Sequence, residues 1–185
     1  MMRRQAAAGI YIALGANLPG PDGRPPLATC EAAFARLAAA GIRVVRRSSW
    51  YRTEPVGAER QPWFVNGVVA AASGLGPEAL LAALHRIEAA FGRTRERHWA
   101  ARTLDLDLLD WHGIVRSGPP GPILPHPRMA ERRFVLAPLA EVAPTWRHPV
   151  DGRGVADLLA ALPCRPVVER LVPGATPIVA GAHDP

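Results

Sequence analysis

The clearest pattern of hydrophobic and polar positions along the chain is the alternation of residues 102–109, RTLDLDLL. A period of two predicts a β-strand, because successive side chains of a strand point to opposite faces of the sheet. The leucines would face a core, and Asp105 and Asp107 would lie side by side on the other face. Two like charges about 6 to 7 Å apart repel each other, so the pattern predicts a cationic partner beside them.

Two segments carry apolar residues at helical spacing. Residues 27–40 have apolar side chains three or four positions apart, and Gly41 is a typical end for such a helix. A second helix is predicted to begin at Pro77, with an acidic residue in its first turn, and to end at Gly92. Both segments predict amphipathic helices with one face against a core.

Three more segments are predicted to be strands: residues 9–15, 42–51 and 64–72. With the helices and the Asp-bearing strand they give the order β-α-β-β-α-β, the split βαβ pattern of ferredoxin-like folds. We therefore predict an α+β fold in which an antiparallel sheet has helices packed on one face and leaves the other face free for a site. C-terminal additions follow, with further helices predicted over residues 128–139 and 155–162.

The length of 185 residues supports one hydrophobic core. We predict a single domain over residues 1–163, followed by a Pro/Gly-rich and partly disordered C-terminal tail over residues 164–185. The two cysteines, Cys30 and Cys164, are too few for a disulfide framework, so we expect buried free thiols in a reducing cytoplasm.

The N-terminus imitates a signal peptide, because two arginines precede an apolar run. We interpret residues 9–15 as a buried first strand instead, since cleavage would remove that strand from the sheet. No apolar stretch of the sequence approaches the length of a membrane span, so we expect a cytoplasmic protein with no membrane partner. A mature start beyond Leu18, measured by mass spectrometry of the native protein, would contradict this expectation.

The basic residues near the acidic strand indicate what kind of ligand it could bind. The formal net charge is +6, and all 22 basic residues are arginines, whose planar donor fork suits phosphate, although the same habit can reflect genome base composition. Four of these arginines lie within residues 93–102, directly before the acidic strand. Carboxylates that hold Mg²⁺ beside arginines that neutralise phosphate oxygens would form a metal–phosphate site. The alternative is a solvated strand face whose acids pair with nearby arginines.

Aromatic and amide groups upstream suit a second ligand. Trp63, Phe64 and Asn66 combine flat apolar surface with an amide that donates and accepts hydrogen bonds at once. This chemistry suits a planar heterocycle, although aromatic residues beside a strand more often belong to a core. The sequence has no Walker-type loop and no kinase Gly-rich loop with its catalytic signature, so any phosphoryl chemistry runs without those cradles.

In their order along residues 9–163, these motifs resemble those of the 6-hydroxymethyl-7,8-dihydropterin pyrophosphokinase family. The matching segments are residues 14–18 (LGANL), 51–53 (YRT), Asn66, 92–95 (GRTR), 102–107 (RTLDLD), and Pro125-His126 followed by Arg132 and Phe134. The resemblance implies an enzyme of folate biosynthesis that transfers the terminal pyrophosphate of ATP to a pterin hydroxymethyl group and releases AMP. ATP and a pterin would be its small-molecule partners.

The resemblance also implies roles for individual residues of this chain. The implied ligands of two Mg²⁺ ions are Asp105 and Asp107, and the arginines implied to assist the transfer are Arg93 and Arg102. The residues implied to bind ATP are Glu88, Arg95, Trp99, Arg102, Leu108, His126 and Arg132. Those implied to bind the pterin are Gly15, Thr53, Val56, Phe64, Asn66, Trp99 and Phe134.

The chain departs from the family's usual pattern at several positions, none of them in the acidic pair or at Asn66. The departures are His98 where an arginine commonly precedes the tryptophan, Ala100-Ala101 for the usual Gly-Pro, Glu54 for a common proline, and Pro127 where an aromatic residue often follows His126.

Two other classes of protein fit parts of the pattern. An RNA-binding module shares the β-α-β-β-α-β order and a basic charge. However, residues 65–72 lack an aromatic residue for base stacking, and paired acids without metal would repel a phosphate backbone. A metal-dependent nucleotidyl transferase also uses an Asp-x-Asp strand. We expect the pyrophosphokinase, acting as a monomer with no nucleic-acid partner.

Overall fold

The first part of the chain has two helices, each lying between strands, as the apolar pattern predicts. The computed structural model describes residues 9–55, 61–93 and 101–172. The strands are β1 (Ile10–Ala16), β2 (Arg43–Arg47), β3 (Tyr51–Thr53), β4 (Phe64–Ala72), β5 (Asp105–Trp111) and β6 (Val168–Arg170). The helices are α1 (Pro26–Ala39), α2 (Pro77–Ala90), α3 (Arg133–Val142) and α4 (Val155–Ala161), with a 3-10 turn, Met129–Glu131, before α3.

These strands form one antiparallel, six-stranded sheet in the order β5-β1-β4-β3-β6, with β2 paired to the other end of β4. The predicted α+β, ferredoxin-like class is confirmed. β5 begins at Asp105, later than the alternation over residues 102–109 suggests. The reason is that the Arg102 carbonyl accepts the N–H groups of Asn17 and Leu18, at 2.9 and 3.0 Å, instead of joining a strand ladder.

The single strand predicted over residues 42–51 is wrong, because the segment forms two strands. β2 and β3 pair with opposite ends of β4. Ser48 lies in the gap between them: its N–H donates to the Val68 carbonyl, and its Oγ accepts the Val68 N–H, both at 3.0 Å. Gly67 leaves room for the bend, since a Cβ there would lie 2.8 Å from the ring of Trp50.

Helices α1 and α2 pack together on one face of the sheet, as predicted. Their apolar residues join those of β1 and β5 in one core, which includes Ile12, Cys30, Leu37, Leu80, Leu84, Leu104, Leu106 and Leu108. The predicted inward orientation of the leucines in the alternating run is therefore confirmed.

The C-terminal additions cover part of the opposite face. A second core joins Tyr11, Val68 and Leu109 of the sheet to Leu136, Leu139, Trp146 and Leu158. The helix predicted over residues 128–139 begins later, at Arg133, because the 3-10 turn precedes it. The face expected to be free is thus partly covered, and a cavity remains beside the start of α3. None of the helices among the described residues is long and apolar enough to cross a membrane.

Part of the predicted C-terminal tail belongs to the sheet. β6 pairs with β3, and the carboxylate of Glu54 accepts hydrogen bonds from Arg165 Nη1 at 2.8 Å and from the Val167 N–H at 3.2 Å. Glu54, a departure from the family's common proline, therefore joins the end of β3 to the C-terminal segment. Residues 173–185 lie outside the described residues.

The two cysteines are both free but differ in environment. Cys30 is buried, which confirms its prediction, and burial raises the pKa of its thiol to about 12. Cys164 is exposed, so its predicted burial is wrong. It lies after the end of α4, in a segment whose residues 163–165 are exposed.

Candidate active site

A cavity of about 210 Å³ opens at the uncovered end of the second sheet face. Most of the residues assigned to the site from the sequence line it: Gly15, Thr53, Phe64, Asn66, Arg93, Arg102, Asp105, Asp107, His126, Arg132 and Phe134. The cavity thus brings together residues from β1, β3, β4, β5 and the start of α3, which are far apart in sequence.

The acidic pair lies at one end of the cavity, on β5. Asp105 and Asp107 pair with Gly15 and Ala13 of β1, and all four residues line the cavity, because glycine has no side chain and alanine has only a methyl group. A Cβ at Gly15 would lie 2.8 Å from the side-chain oxygen of Asn66. A side chain at position 15 would therefore displace the Asn66 amide, and glycine lets the acidic pair and Asn66 face the same cavity.

Two arginines surround Asp105. The guanidinium groups of Arg93 and Arg102 both donate to its carboxylate, and Arg93 also donates to Glu88. Glu88 is 2% exposed and also accepts the Leu106 N–H at 2.8 Å. Glu88 therefore orients Arg93 from behind the cavity wall.

Two residues implied to bind ATP are not among those that line the cavity. Glu88 lies behind Arg93, and the side chain of Leu108 is 4% exposed in the core on the helical face. The orientation of Leu108 follows from the period-two alternation of β5, which turns it away from the face that carries Asp107.

Asp107 has a different set of neighbours. Arg132 Nη1 lies 3.5 Å and His126 Nε2 lies 3.9 Å from its Oδ2 atom. Burial lowers the pKa of His126, and Arg132 and Arg128 lower it further, although Asp107 opposes them. The Nδ1 atom of His126 accepts the Arg128 N–H at 3.2 Å, so the neutral ring carries its proton on Nε2, toward Asp107.

The opposite end of the cavity is aromatic and amide-lined. Asn66 Nδ2 donates to Thr53 Oγ1 at 2.9 Å, and both side chains are buried. Phe64 and Phe134 also line this cavity. The two neighbouring aromatic residues therefore have different environments. Phe64 lines the cavity, whereas the ring of Trp63 packs under the guanidinium group of Arg52, 4.4 Å away.

Some predicted positions cannot be compared with the cavity, and some lining residues were missed. Val56, Arg95 and Trp99 lie outside the described residues, as do the departures at His98 and Ala100. Glu54, Gln61 and Arg128 line the cavity but were not assigned to it from the sequence. Arg128 had a usable signal, since it stands two residues after His126 in a run rich in arginine.

The donor set of the acidic pair fits Mg²⁺. Within the described parts of the chain no group of three or more His, Cys, Asp or Glu side chains could hold a metal ion. Two carboxylates, with further ligands from water and substrate oxygens, are a ligand set that suits Mg²⁺.

The sequence and fold have close counterparts among known proteins. Residues 11–144 match the family model described as 7,8-dihydro-6-hydroxymethylpterin-pyrophosphokinase. The 2-amino-4-hydroxy-6-hydroxymethyldihydropteridine pyrophosphokinase of Synechocystis is 41% identical over 164 residues, which cover 88% of this chain and 80% of that protein. The Pseudomonas aeruginosa protein of the same name is 45% identical over 166 residues, covering 90% and 98%.

Solved structures with a similar fold are also known. The wild-type Plasmodium falciparum HPPK-DHPS structure aligns with a TM-score of 0.63 over 82% of this chain and 44% of its own, at 12% identity. At that identity the likeness concerns the fold alone. The family match and the bacterial relatives carry the assignment: this chain belongs to the 7,8-dihydro-6-hydroxymethylpterin-pyrophosphokinase family.

Proposed function

We propose that the cavity is the active site in which Asp105 and Asp107 hold Mg²⁺ with the phosphates of ATP, while Asn66 binds the edge of the pterin. The overall activity is that of the family: transfer of pyrophosphate from ATP to 6-hydroxymethyl-7,8-dihydropterin in folate biosynthesis. The observation that carries the residue assignment is that acids, arginines, an amide and two phenylalanines line one cavity.

At the phosphate end, the chain supplies both signs of charge. Arg93 and Arg102 each present several N–H donors, so each can contact Asp105 and a phosphate oxygen together. Arg132 and the Nε2–H of His126 supply further donors beside Asp107. When bound, Mg²⁺ would neutralise phosphate charge and help to orient the polyphosphate. We propose two ions, as the family resemblance implies.

At the pterin end, the amide of Asn66 can read a heterocycle edge. One of its two N–H groups is donated to Thr53, which leaves one N–H and the carbonyl oxygen for hydrogen bonds to a ligand. Phe64 and Phe134 offer apolar ring surface to a flat ligand. These side chains would hold the pterin hydroxymethyl group toward the phosphates.

The transfer then depends on positioning and charge. The hydroxymethyl oxygen forms a bond to the β-phosphorus of ATP, the bond from that phosphorus to the α–β bridging oxygen breaks, and AMP leaves with that electron pair. The hydroxyl proton passes to solvent, since we assign no side chain as its base. Alignment of the two reactants and stabilisation of phosphate charge by arginines lower the barrier.

We also propose that the chain acts as a cytoplasmic monomer without a nucleic-acid partner. Both ends of the cavity are built by one chain, so the reaction requires no second copy. The family match does not favour an RNA-binding module or a nucleotidyl transferase. Light scattering of the purified protein would test the monomer, and a dimer at assay concentration would contradict it.

The decisive experiment identifies the nucleotide product. The purified protein is incubated with ATP, Mg²⁺ and 6-hydroxymethyl-7,8-dihydropterin, and nucleotides are separated by chromatography. We expect AMP and pterin diphosphate in equal amounts, with no turnover when EDTA removes the metal. ADP would indicate transfer of a single phosphoryl group, and unchanged ATP at high enzyme concentration would refute the proposal.

A further inference from the structure

Asn17 is a buried polar residue at the point where three segments of the site meet. It directly follows β1, its side chain belongs to the LGANL motif, and it is 2% exposed. It does not line the cavity. A buried amide needs hydrogen-bond partners within the protein, and these partners indicate what it does.

The first set of partners is the backbone of Arg102. The Oδ1 atom of Asn17 accepts the Arg102 N–H at 2.7 Å, and the Arg102 carbonyl accepts the Asn17 N–H at 2.9 Å. The Leu18 N–H donates to the same carbonyl at 3.0 Å. Three hydrogen bonds therefore attach Arg102, whose guanidinium group contacts Asp105, to the end of β1.

The second set of partners lies on the pterin side. Nδ2 of Asn17 donates to Gln61 Oε1 at 3.3 Å and to the Pro62 carbonyl at 3.2 Å. Gln61 lines the cavity, and Pro62 lies two residues before Phe64 at the start of β4. One side chain thus joins the segment that carries the arginine to the segment that leads into the pterin-facing strand.

This combination needs the chemistry of asparagine. The amide oxygen accepts the hydrogen bond from Arg102, and the two amide hydrogens can be donated to Gln61 and Pro62. The side chain therefore accepts from one segment and donates to the other. Aspartate has no hydrogen to donate, and it would place a second oxygen against two acceptor oxygens. Alanine would remove both connections.

We infer that Asn17 is a positioning residue that sets the placement of Arg102 relative to the pterin-facing segment, and thereby aligns the two substrates. The inference rests on the proposed function, because it assigns the phosphate and pterin ends as above. Small misplacement of reacting groups costs rate steeply, about a hundredfold for about 1 Å. Removal of the Asn17 side chain should therefore lower kcat by more than a general loss of stability would.

The test compares Asn17→Ala and Asn17→Asp with the parent enzyme in steady-state kinetics. Asn17→Ala should lower kcat by about tenfold or more, because both connections are lost. Asn17→Asp keeps the acceptor for Arg102, so it should raise the pterin KM by about fivefold while the ATP KM stays within about twofold. Parent-like constants for folded Asn17→Ala would overturn the inference.

Thr29→Val is the matched control. Thr29 is buried, and its Oγ1 donates to backbone carbonyls at the start of α1, outside the cavity. The control should lower Tm like the Asn17 variants but leave kcat within about twofold of the parent. An equal loss of kcat in Thr29→Val would show that the Asn17 effect is a general loss of stability, and would overturn the inference.

Amide hydrogen exchange gives a readout that does not depend on turnover. In Asn17→Ala, exchange at the Arg102 amide should accelerate while amides inside β1 and β5 stay protected; unchanged Arg102 exchange would contradict the inference. A parent enzyme that makes no AMP would refute the proposed function instead. The two failures are therefore distinguishable.

Discussion

Asp105 and Asp107 stand two positions apart on one strand but have different surroundings. Asp105 is held by two arginines and its side chain is 15% exposed, whereas that of Asp107 is 34% exposed. Asp107 has Arg132 Nη1 at 3.5 Å from its Oδ2 atom. Asp107 is thus the more accessible carboxylate for a metal, and Asp105 also organises the arginines.

Substitution of Asp107 should separate catalysis from folding. Asp107→Ala removes a half-exposed carboxylate from the cavity face of β5, so turnover should fall below about a tenth of the parent while Tm changes little. AMP formation and thermal unfolding measure the two effects. Asp157→Ala, which removes an exposed acid on α4, serves as the control. More than a tenth of the parent activity in Asp107→Ala would refute the metal role.

Substitution of Thr53 should raise the KM for the pterin and not the KM for ATP. Thr53→Val removes the hydroxyl that accepts the Asn66 hydrogen bond, so the amide is less firmly oriented. We expect the pterin KM to rise about fivefold or more and the ATP KM to stay within about twofold. Thr53→Ser restores the hydroxyl and should recover most of the loss. Equal increases in both KM values would contradict the assigned division of the cavity.

Among the elements, Glu141 joins α3 to the strand that carries Thr53. Its carboxylate accepts the Ser49 N–H and the Tyr51 hydroxyl, both at 2.6 Å, and lies 3.4 Å from Arg170 of β6. Burial alone would raise the pKa of Glu141, but the hydrogen bonds from Tyr51 and Ser49, together with Arg170, lower it overall. One side chain therefore connects α3, β3 and β6 beside the proposed pterin end.

The contribution of Glu141 to the free energy of unfolding should depend on pH. Because the folded-state pKa of Glu141 is lowered, its ionisation stabilises the fold above the unfolded pKa, and this stability is lost as pH falls through the folded pKa. Glu141→Gln should lower the free energy of unfolding by about 1 kcal/mol at neutral pH and flatten its acid dependence. Urea unfolding across the acid range measures this, with Glu131→Gln as the exposed control. An unchanged acid slope would contradict the role.

At the scale of the whole molecule, the positive charge should attract one of the two substrates more than the other. The net charge is +6, and four arginines line a cavity that contains the acidic pair. A positive field attracts polyanions from a distance and has little effect on a neutral heterocycle. The excess of arginine is thus suited to ATP.

Salt should therefore separate the substrates. Raising NaCl from about 0.1 M to about 1 M shortens the Debye length from about 10 Å to about 3 Å. We expect the ATP KM to rise several-fold and the pterin KM to change by less than about twofold. Steady-state kinetics at fixed free Mg²⁺ would measure both values. A parallel rise in both would show that salt acts on the fold and would contradict the field effect.

Local pattern was sufficient for most elements and for much of the site. Period-two alternation identified the buried leucines and the acid-bearing face of β5, because a strand exposes alternate side chains whatever its neighbours are. Helical spacing located α1 and α2 to within a residue or two. The family motifs identified most of the charged and aromatic residues that line the cavity, but they missed Gln61 and Arg128 and they included Glu88 and Leu108, which do not line it.

Long-range contacts decided the remaining features. The break between β2 and β3 depends on Ser48 meeting Val68, and β6 depends on β3, so neither has a signature in its own segment. Glu88 lies behind Arg93 because the sheet brings the Leu106 N–H to it. Asn17 has partners 44 and 85 residues away. The alternating strand therefore predicted two acids on one face, and tertiary packing determined which arginines and which amide face them, because hydrogen bonds between distant segments leave no periodic trace in the sequence.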